Sequence, residues 1–181
     1  MRLFIGIALP SAVIDQLATL TARLRSKSDS LRWMGPESWH ITLHFLGSTS
    51  QEELDCLLDR LGELRLPPVA IRIDELGLFD RAGIFFAGVV LTPEVILLQQ
   101  RVSDTVLRCG FAPETRPFHP HITLARAKGE ARVHALRSLA ARIPPRPTAT
   151  RFLAREFLLY ESYLSPAGSR YEVRARFSFA S

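Results

Sequence analysis

His40-Ile41-Thr42-Leu43-His44-Phe45-Leu46-Gly47 and His121-Ile122-Thr123-Leu124-Ala125-Arg126 open on the same four residues. A recurring tetrapeptide alone is weak evidence for a duplicated unit. Its content strengthens it: the chain has only five histidines, and one leads each copy. Both copies read as strands, and both follow proline-containing loops. In a strand, residues i and i+2 project from one face, roughly 6.5–7 Å apart. His40 and Thr42 therefore share a face, as do His121 and Thr123, while Ile41, Leu43, Ile122 and Leu124 suit a core. The two halves look like one unit used twice, with two His/Thr pairs facing each other across one groove.

The surrounding sequence fits this reading. Residues 2–9 read as a buried strand, and 11–27 as a helix with Val13, Ile14, Leu17, Leu20 and Leu24 at helical spacing. A short strand near 31–34 precedes the first motif. Ser50 caps a helix near 51–64 with Glu53 in its first turn. Residues 69–79 and 83–91 form a hairpin through Asp80-Arg81-Ala82-Gly83. Pro93 opens a helix over 93–108 that Gly110 stops. The second motif strand covers 121–126, followed by a helix over 130–142 and a break at Pro144, Pro145 and Pro147. Two long strands, 150–163 and 170–179, close the chain through Ser165-Pro166-Ala167-Gly168. Hairpins mixed with crossovers predict an α+β fold. It is expected to be bilobal, two pseudo-symmetric lobes of mainly antiparallel sheet with outer helices around a central cleft. Residues 1–181 read as a single domain of two interleaved lobes, each contributing one His-x-Thr motif.

Composition bounds the function. With 47% hydrophobic and 23% charged residues, the chain is neither disordered, collagenous nor a coiled coil. No apolar run approaches the roughly 18 residues of a membrane span, so no membrane partner is expected. The net charge is +5, and 21 of the 23 basic residues are arginines, Lys27 and Lys128 being the lysines. Arginine suits bidentate phosphate recognition, but coding bias gives the same total; only placement can argue for phosphate. Cys56 and Cys109 are far apart, with no CxxC pair, and read as small reduced core residues. Met1 to Leu9 reads as a first strand in preference to a signal segment. The expected protein is a cytoplasmic monomer.

Two histidines on one groove suit acid–base chemistry, because an unperturbed pKa near 6.5 lets one be neutral and the other charged. The threonines offer hydroxyl donors to an oxyanion between them. Arg126 lies five residues after His121, an odd offset that points it to the opposite face unless the strand ends or bulges near Ala125. Neither HExxH nor a Cys/His zinc spacing is present, so no metal and no cofactor are expected.

These motifs carry a family resemblance. The chain resembles the 2H phosphoesterase superfamily, and within it the RNA 2′,3′-cyclic phosphodiesterases (the 2′-5′ RNA ligase family). Arg2 to Ile7, Arg32-Trp33, Trp39 to Gly47, Phe118 to Arg126, Tyr160-Glu161-Ser162 and Gly168 to Tyr171 carry the likeness. The resemblance implies metal-independent hydrolysis of RNA 2′,3′-cyclic phosphate ends to 2′-phosphomonoesters, with reversible 2′-5′ ligation open. It implies RNA ends as partners, such as tRNA fragments or short oligonucleotides. It implies His40 as proton donor, His121 as proton acceptor, Thr42 and Thr123 on the phosphate oxygens, and Arg126 and Tyr171 in substrate binding.

Further residues have two readings each. His44 shares the strand parity of His40 and Thr42 and is expected to line the groove and touch substrate. Phe45, Trp33, Trp39 and Phe118 are stacking candidates. Phe45 has the parity of Ile41 and Leu43, which equally suits the core. His119 reads as a loop residue and His134 as a solvated helical one. Arg151 with Arg155, and Arg174 with Arg176, form either a basic rim or solvated sheet faces. Two rival functions stay open: a cyclic phosphodiesterase on a small nucleotide or 2′-5′ oligoadenylate, and a non-catalytic nucleotide- or RNA-binding module.

Overall fold

The computed structural model describes residues 1–26, 30–127, 129, 132–144, 149–165 and 168–180. In chain order its elements are β1 (Arg2–Ala8), α1 (Ser11–Leu24), β2 (Leu31–Trp33), β3 (His40–Ser48), α2 (Gln51–Gly62), β4 (Val69–Phe79), β5 (Ile84–Val89), α3 (Pro93–Arg108), β6 (His121–Ala127), α4 (Arg132–Ala140), β7 (Thr150–Ala154), β8 (Glu156–Ser165) and β9 (Gly168–Ser178). The expected turn at Pro166-Ala167 and the prolines Pro145 and Pro147 lie outside the described residues.

Two antiparallel sheets result. One has the order β3-β1-β8-β9, the other β2-β6-β5-β4-β7. Each sheet holds one His-x-Thr strand, β3 in the first and β6 in the second. The α+β class and antiparallel sheets are as the sequence predicts. The chain interleaves them: β2 leaves the first half to pair with β6, and β8 and β9 return from the second half to pair beside β1.

The strand expected over 150–163 is two strands. β7 pairs with β4 in one sheet, and β8 pairs with β1 in the other. The chain changes sheets at Arg155, and the unbroken apolar pattern gives no sign of the crossing.

The core is packed between one face of each sheet and the helices. Leu3, Ile5, Ile7, Ile41 and Leu43 from one sheet and Ile71, Phe85, Ile122 and Leu124 from the other join Val13 and Leu17 of α1, Leu54 and Leu57 of α2, and Leu98 and Val102 of α3. Fully burying each such side chain is worth roughly 1.5–3 kcal/mol. The period-3.6 helices and period-2 strands are therefore read correctly from their apolar residues. Helix starts are equally legible. Ser50 accepts from Glu53 N–H at 3.2 Å while the Glu53 carboxylate accepts from Ser50 N–H at 2.7 Å, a complete capping box.

The cysteine expectation is overturned. Cys56 on α2 and Cys109 at the end of α3 form a disulfide, with Cα atoms 5.8 Å apart. Packing of α2 against α3 brings together positions 53 residues apart, which spacing alone does not show.

Candidate active site

β3 is an edge strand, and β2 covers only Ala125–Ala127 of β6, which leaves the His121 end of β6 against β3. Both motifs thus meet where the sheets meet, on the faces turned away from the helices. His40, Thr42, His121 and Thr123 are all half-buried there.

The two strands share an irregularity. On β3 the pairing with β1 steps from Ile5↔His44 to Gly6↔Thr42, which makes Leu43 an extra residue. On β6 the pairing with β5 steps from Phe85↔Ala125 to Phe86↔Thr123, which makes Leu124 the extra residue. Each bulge falls three residues after its histidine. A bulge reverses the facing of everything beyond it. The burial sequence over the seven residues from each histidine is accordingly the same: Leu43 and His44 are consecutively buried, as are Leu124 and Ala125, before one exposed residue. Gly6 permits the close approach of β1 at the first bulge, since a Cβ there would come within 2.7 Å of the Ile41 carbonyl oxygen.

This places three of the candidate residues. Arg126 is turned to the His121 and Thr123 face by the bulge near Ala125 that its placement required. Phe45, on the parity of the core residues, is 60% exposed and stands on the His40 face instead. His44 does not line the groove: it is 6% exposed, and its Nδ1 lies 2.9 Å from the Ser103 hydroxyl on α3. Gln99 Nε2 donates to the same hydroxyl at 2.8 Å.

The two motif histidines are held alike. His40 Nδ1 is 2.8 Å from the Ser38 carbonyl oxygen, and His121 Nδ1 is 2.7 Å from the His119 carbonyl oxygen. A carbonyl only accepts, so each Nδ1 carries a proton and each Nε2 is the free ring nitrogen. Burial lowers the His40 pKa to about 4, opposed by the Ser38 carbonyl and reinforced by the charges of His121 and Arg126. Burial also lowers the His121 pKa; the His119 carbonyl opposes this, while His119 and Arg126 add to it. Burial therefore favours the neutral form of both rings, and the neighbouring positive charges add to this, which is what a bound anion would relieve.

Each ring sits in an aromatic cage. Phe4, Tyr160 and Tyr171 surround His40 at ring centroid distances of 4.6, 5.8 and 5.0 Å. Phe79 and Phe86 flank His121 at 5.1 and 5.4 Å. Tyr171 is thus beside the site, as expected. Phe4 and Tyr160 enter the sequence reading only within the stretches that carry the family likeness, and Phe79 and Phe86 do not enter it as site residues; the signal available was their alternation with core residues on β1, β8, β4 and β5.

Other candidates fall away. Trp39 is buried in the core, Trp33 packs edge-on to Phe85, and Phe118 packs against the core. Arg174 and Arg176 are paired with Glu161 and Glu156 at 3.4 and 2.6 Å. His119 is an exposed loop residue and His134 an exposed helical one. Among the described residues no group of three or more His, Cys, Asp or Glu could hold a metal ion. No described helix is long and apolar enough to cross a membrane.

Comparison with known proteins agrees with the duplicated geometry. The model of the LigT-like phosphoesterase family matches residues 7–86 and 91–171, one His-x-Thr motif in each stretch. The chain is 30% identical over 171 residues to the RNA 2′,3′-cyclic phosphodiesterase of Escherichia coli strain K12, covering 94% of this chain and 92% of that protein. It is 31% identical over 192 residues to the protein of the same description from Thermus thermophilus, covering 98% and 90%. The crystal structure of E. coli LigT complexed with 3′-AMP matches with a TM-score of 0.83 at 28% identity, over 99% of this chain and 98% of that one.

Proposed function

The chain belongs to the LigT-like phosphoesterase family of 2H phosphoesterases, and from that premise we propose that it hydrolyses 2′,3′-cyclic phosphate ends of RNA to 2′-phosphomonoesters. The relatives quoted above are RNA 2′,3′-cyclic phosphodiesterases, which supports the reading. The observation that carries the reading is the pair of neighbouring histidines, each with Nδ1 tied to a main-chain carbonyl, which leaves Nε2 as the nitrogen for proton transfer.

The cyclic phosphate sits between the two Nε2 atoms. Thr42 and Thr123 donate hydroxyl hydrogen bonds to its non-bridging oxygens, and Arg126 adds a fixed positive charge. His121 Nε2 takes a proton from water, whose oxygen attacks phosphorus in line with O3′. The P–O3′ bond breaks, and His40 delivers a proton from Nε2 to the departing O3′. A neutral His40 cannot do this; the bound anion supplies the attraction that raises its pKa toward the working range. Phe45 and Tyr171 stand at the mouth as stacking surfaces for ribose or base. Run in the same direction, with a 5′-hydroxyl in place of water, the same groups would form a 2′-5′ linkage.

We read residues 1–181 as one domain of two interleaved lobes, acting as a monomer on RNA ends. The cytoplasmic expectation and the Cys56–Cys109 bridge pull in opposite directions, since disulfides are rare in reducing compartments; thiol trapping in intact cells decides between them. The activity itself is tested with a 2′,3′-cyclic-phosphate oligonucleotide in EDTA, with identification of the product. A 2′-phosphate is expected; a 3′-phosphate overturns the leaving-group assignment. Faster turnover of a small cyclic nucleotide or 2′-5′ oligoadenylate than of RNA ends would move the substrate class to those.

A further inference from the structure

The short strand before the first motif carries a second arginine onto the face of the second. Leu31, Arg32 and Trp33 of β2 pair with Ala127, Arg126 and Ala125 of β6. The apolar members fix this register. Leu31 packs against the core, Trp33 meets Phe85 edge-on at 6.0 Å, and Ala125 and Ala127 are buried. Beyond the pairs, the Met34 N–H donates to the Leu124 carbonyl oxygen at 2.9 Å. Side chains alternate along a strand. Arg32 and Arg126 therefore share the other face, the one that holds His121 and Thr123, and both are exposed.

The two arginines stand directly opposite each other, which puts their Cβ atoms roughly 4.5–5.5 Å apart. Like charges in that relation destabilise a sheet. The following strands place no carboxylate in the row: Arg126 pairs with Ile84 of β5, and Ile84 pairs with Phe79 of β4. Across β2, β6, β5 and β4 the row reads arginine, arginine, isoleucine, phenylalanine. Packing of Leu31 and Trp33 imposes the repulsion, and a polyanion lying over the pair reverses it. Guanidinium forks suit phosphate oxygens, and two of them side by side suit two phosphates of one molecule.

Arg126 serves the phosphate that reacts. Arg32 lies one strand spacing further out, about 5 Å from Arg126. In an RNA that ends in a 2′,3′-cyclic phosphate, the next phosphate sits on the 5′-oxygen of the same ribose. We propose that Arg32 binds this 5′-phosphate, so that β2 reports whether the terminal nucleoside belongs to a chain. The inference rests on the catalytic reading above and deepens it. The preferred substrate is a cyclic-ended nucleotide with a phosphate or phosphodiester on O5′, over a cyclic nucleotide with a free 5′-hydroxyl. Arg32 touches none of the reacting atoms; it selects the substrate.

The test compares kcat/KM on two substrates: a nucleoside 2′,3′-cyclic phosphate with a free 5′-hydroxyl, and the same compound carrying a 5′-phosphate. Wild type is expected to favour the second by about tenfold, the effect of one charge-assisted contact. Arg32→Gln is expected to lose about tenfold on the 5′-phosphorylated substrate, chiefly in KM, and to stay within about threefold of wild type on the other. Arg32→Lys keeps the charge and should keep part of the preference, whereas Arg32→Glu should invert it. The salt dependence of kcat/KM on the 5′-phosphorylated substrate should flatten by about one ion in Arg32→Gln. Equal losses on both substrates would put Arg32 on the reacting phosphate or in the fold, and overturn the proposal. So would no loss on either, or a wild type without the preference. A wild type inactive on both overturns the catalytic reading, and this inference falls with it.

Discussion

Phe45 and Arg126 occupy the same place in the two sheets, each five residues after its histidine and each turned outward by one extra leucine. The duplicated backbone thus presents an apolar ring on one side of the cleft and a cation on the other. On the proposed reading that asymmetry divides the work: charge for the phosphate near His121, a stacking surface near His40. Arg126→Ala removes a charge-assisted contact to the phosphate and is expected to lower kcat by about 10²–10³-fold, as loss of an oxyanion donor does. Phe45→Ala is expected to raise KM and leave kcat within about threefold, because stacking of roughly 1–3 kcal/mol per base is felt equally in ground and transition states. Steady-state kinetics on a cyclic mononucleotide checks both; a large kcat loss for Phe45→Ala would sink the division.

His44→Ala is expected to act on stability and leave the chemistry nearly intact. The ring faces α3 and meets the Ser103 hydroxyl, which also takes a hydrogen bond from Gln99. Removing it strands buried polar groups at a cost of about 1–3 kcal/mol. Thermal unfolding should show a lower Tm, while kcat stays within about threefold of wild type. His40→Ala and His121→Ala should do the opposite: lose about 10²–10⁴-fold in kcat with little change in unfolding. If His44→Ala abolishes turnover in a folded protein, its ring reaches the substrate after all.

Reduction of the Cys56–Cys109 bridge is expected to destabilise the fold. The bridge closes a loop across 53 positions and joins α2 to the end of α3. Native disulfides of this kind are worth about 2–4 kcal/mol. Denaturant unfolding of Cys56→Ser, or of wild type with and without reductant, measures the effect. Coincident curves would show that the bridge contributes nothing, and unreacted thiols before reduction would show that it does not form.

The sequence made the two motifs legible because histidine, threonine and their period-2 partners are all explicit. It placed Arg126 conditionally and His44 wrongly for one reason. A strand's alternation extrapolates from its start, and a single inserted residue reverses it without any compositional trace. Leu43 and Leu124 look like ordinary core residues, and only their pairing partners reveal the bulges. Helices were read well because Ser50, Pro93 and Gly110 punctuate them. The disulfide depends on how α2 meets α3, which no local pattern encodes.

Acid should weaken the fold, for a reason the histidines share. His40, His44 and His121 all have pKa values lowered chiefly by burial, His40 to about 4. The unfolded chain holds these groups near 6.5. Between the folded and unfolded values the unfolded state binds more protons, so stability falls as pH drops from about 6.5 toward 4. His40→Gln should flatten that slope, measured as Tm against pH. The same shift shapes catalysis. The free enzyme needs one protonated and one neutral histidine, so the optimum of kcat/KM is expected below pH 6.5. The kcat optimum should lie higher, because the bound phosphate anion raises the acid's pKa. Coincident profiles for kcat and kcat/KM would mean that the anion does not retune His40, and the role of proton donor would have to pass to another group.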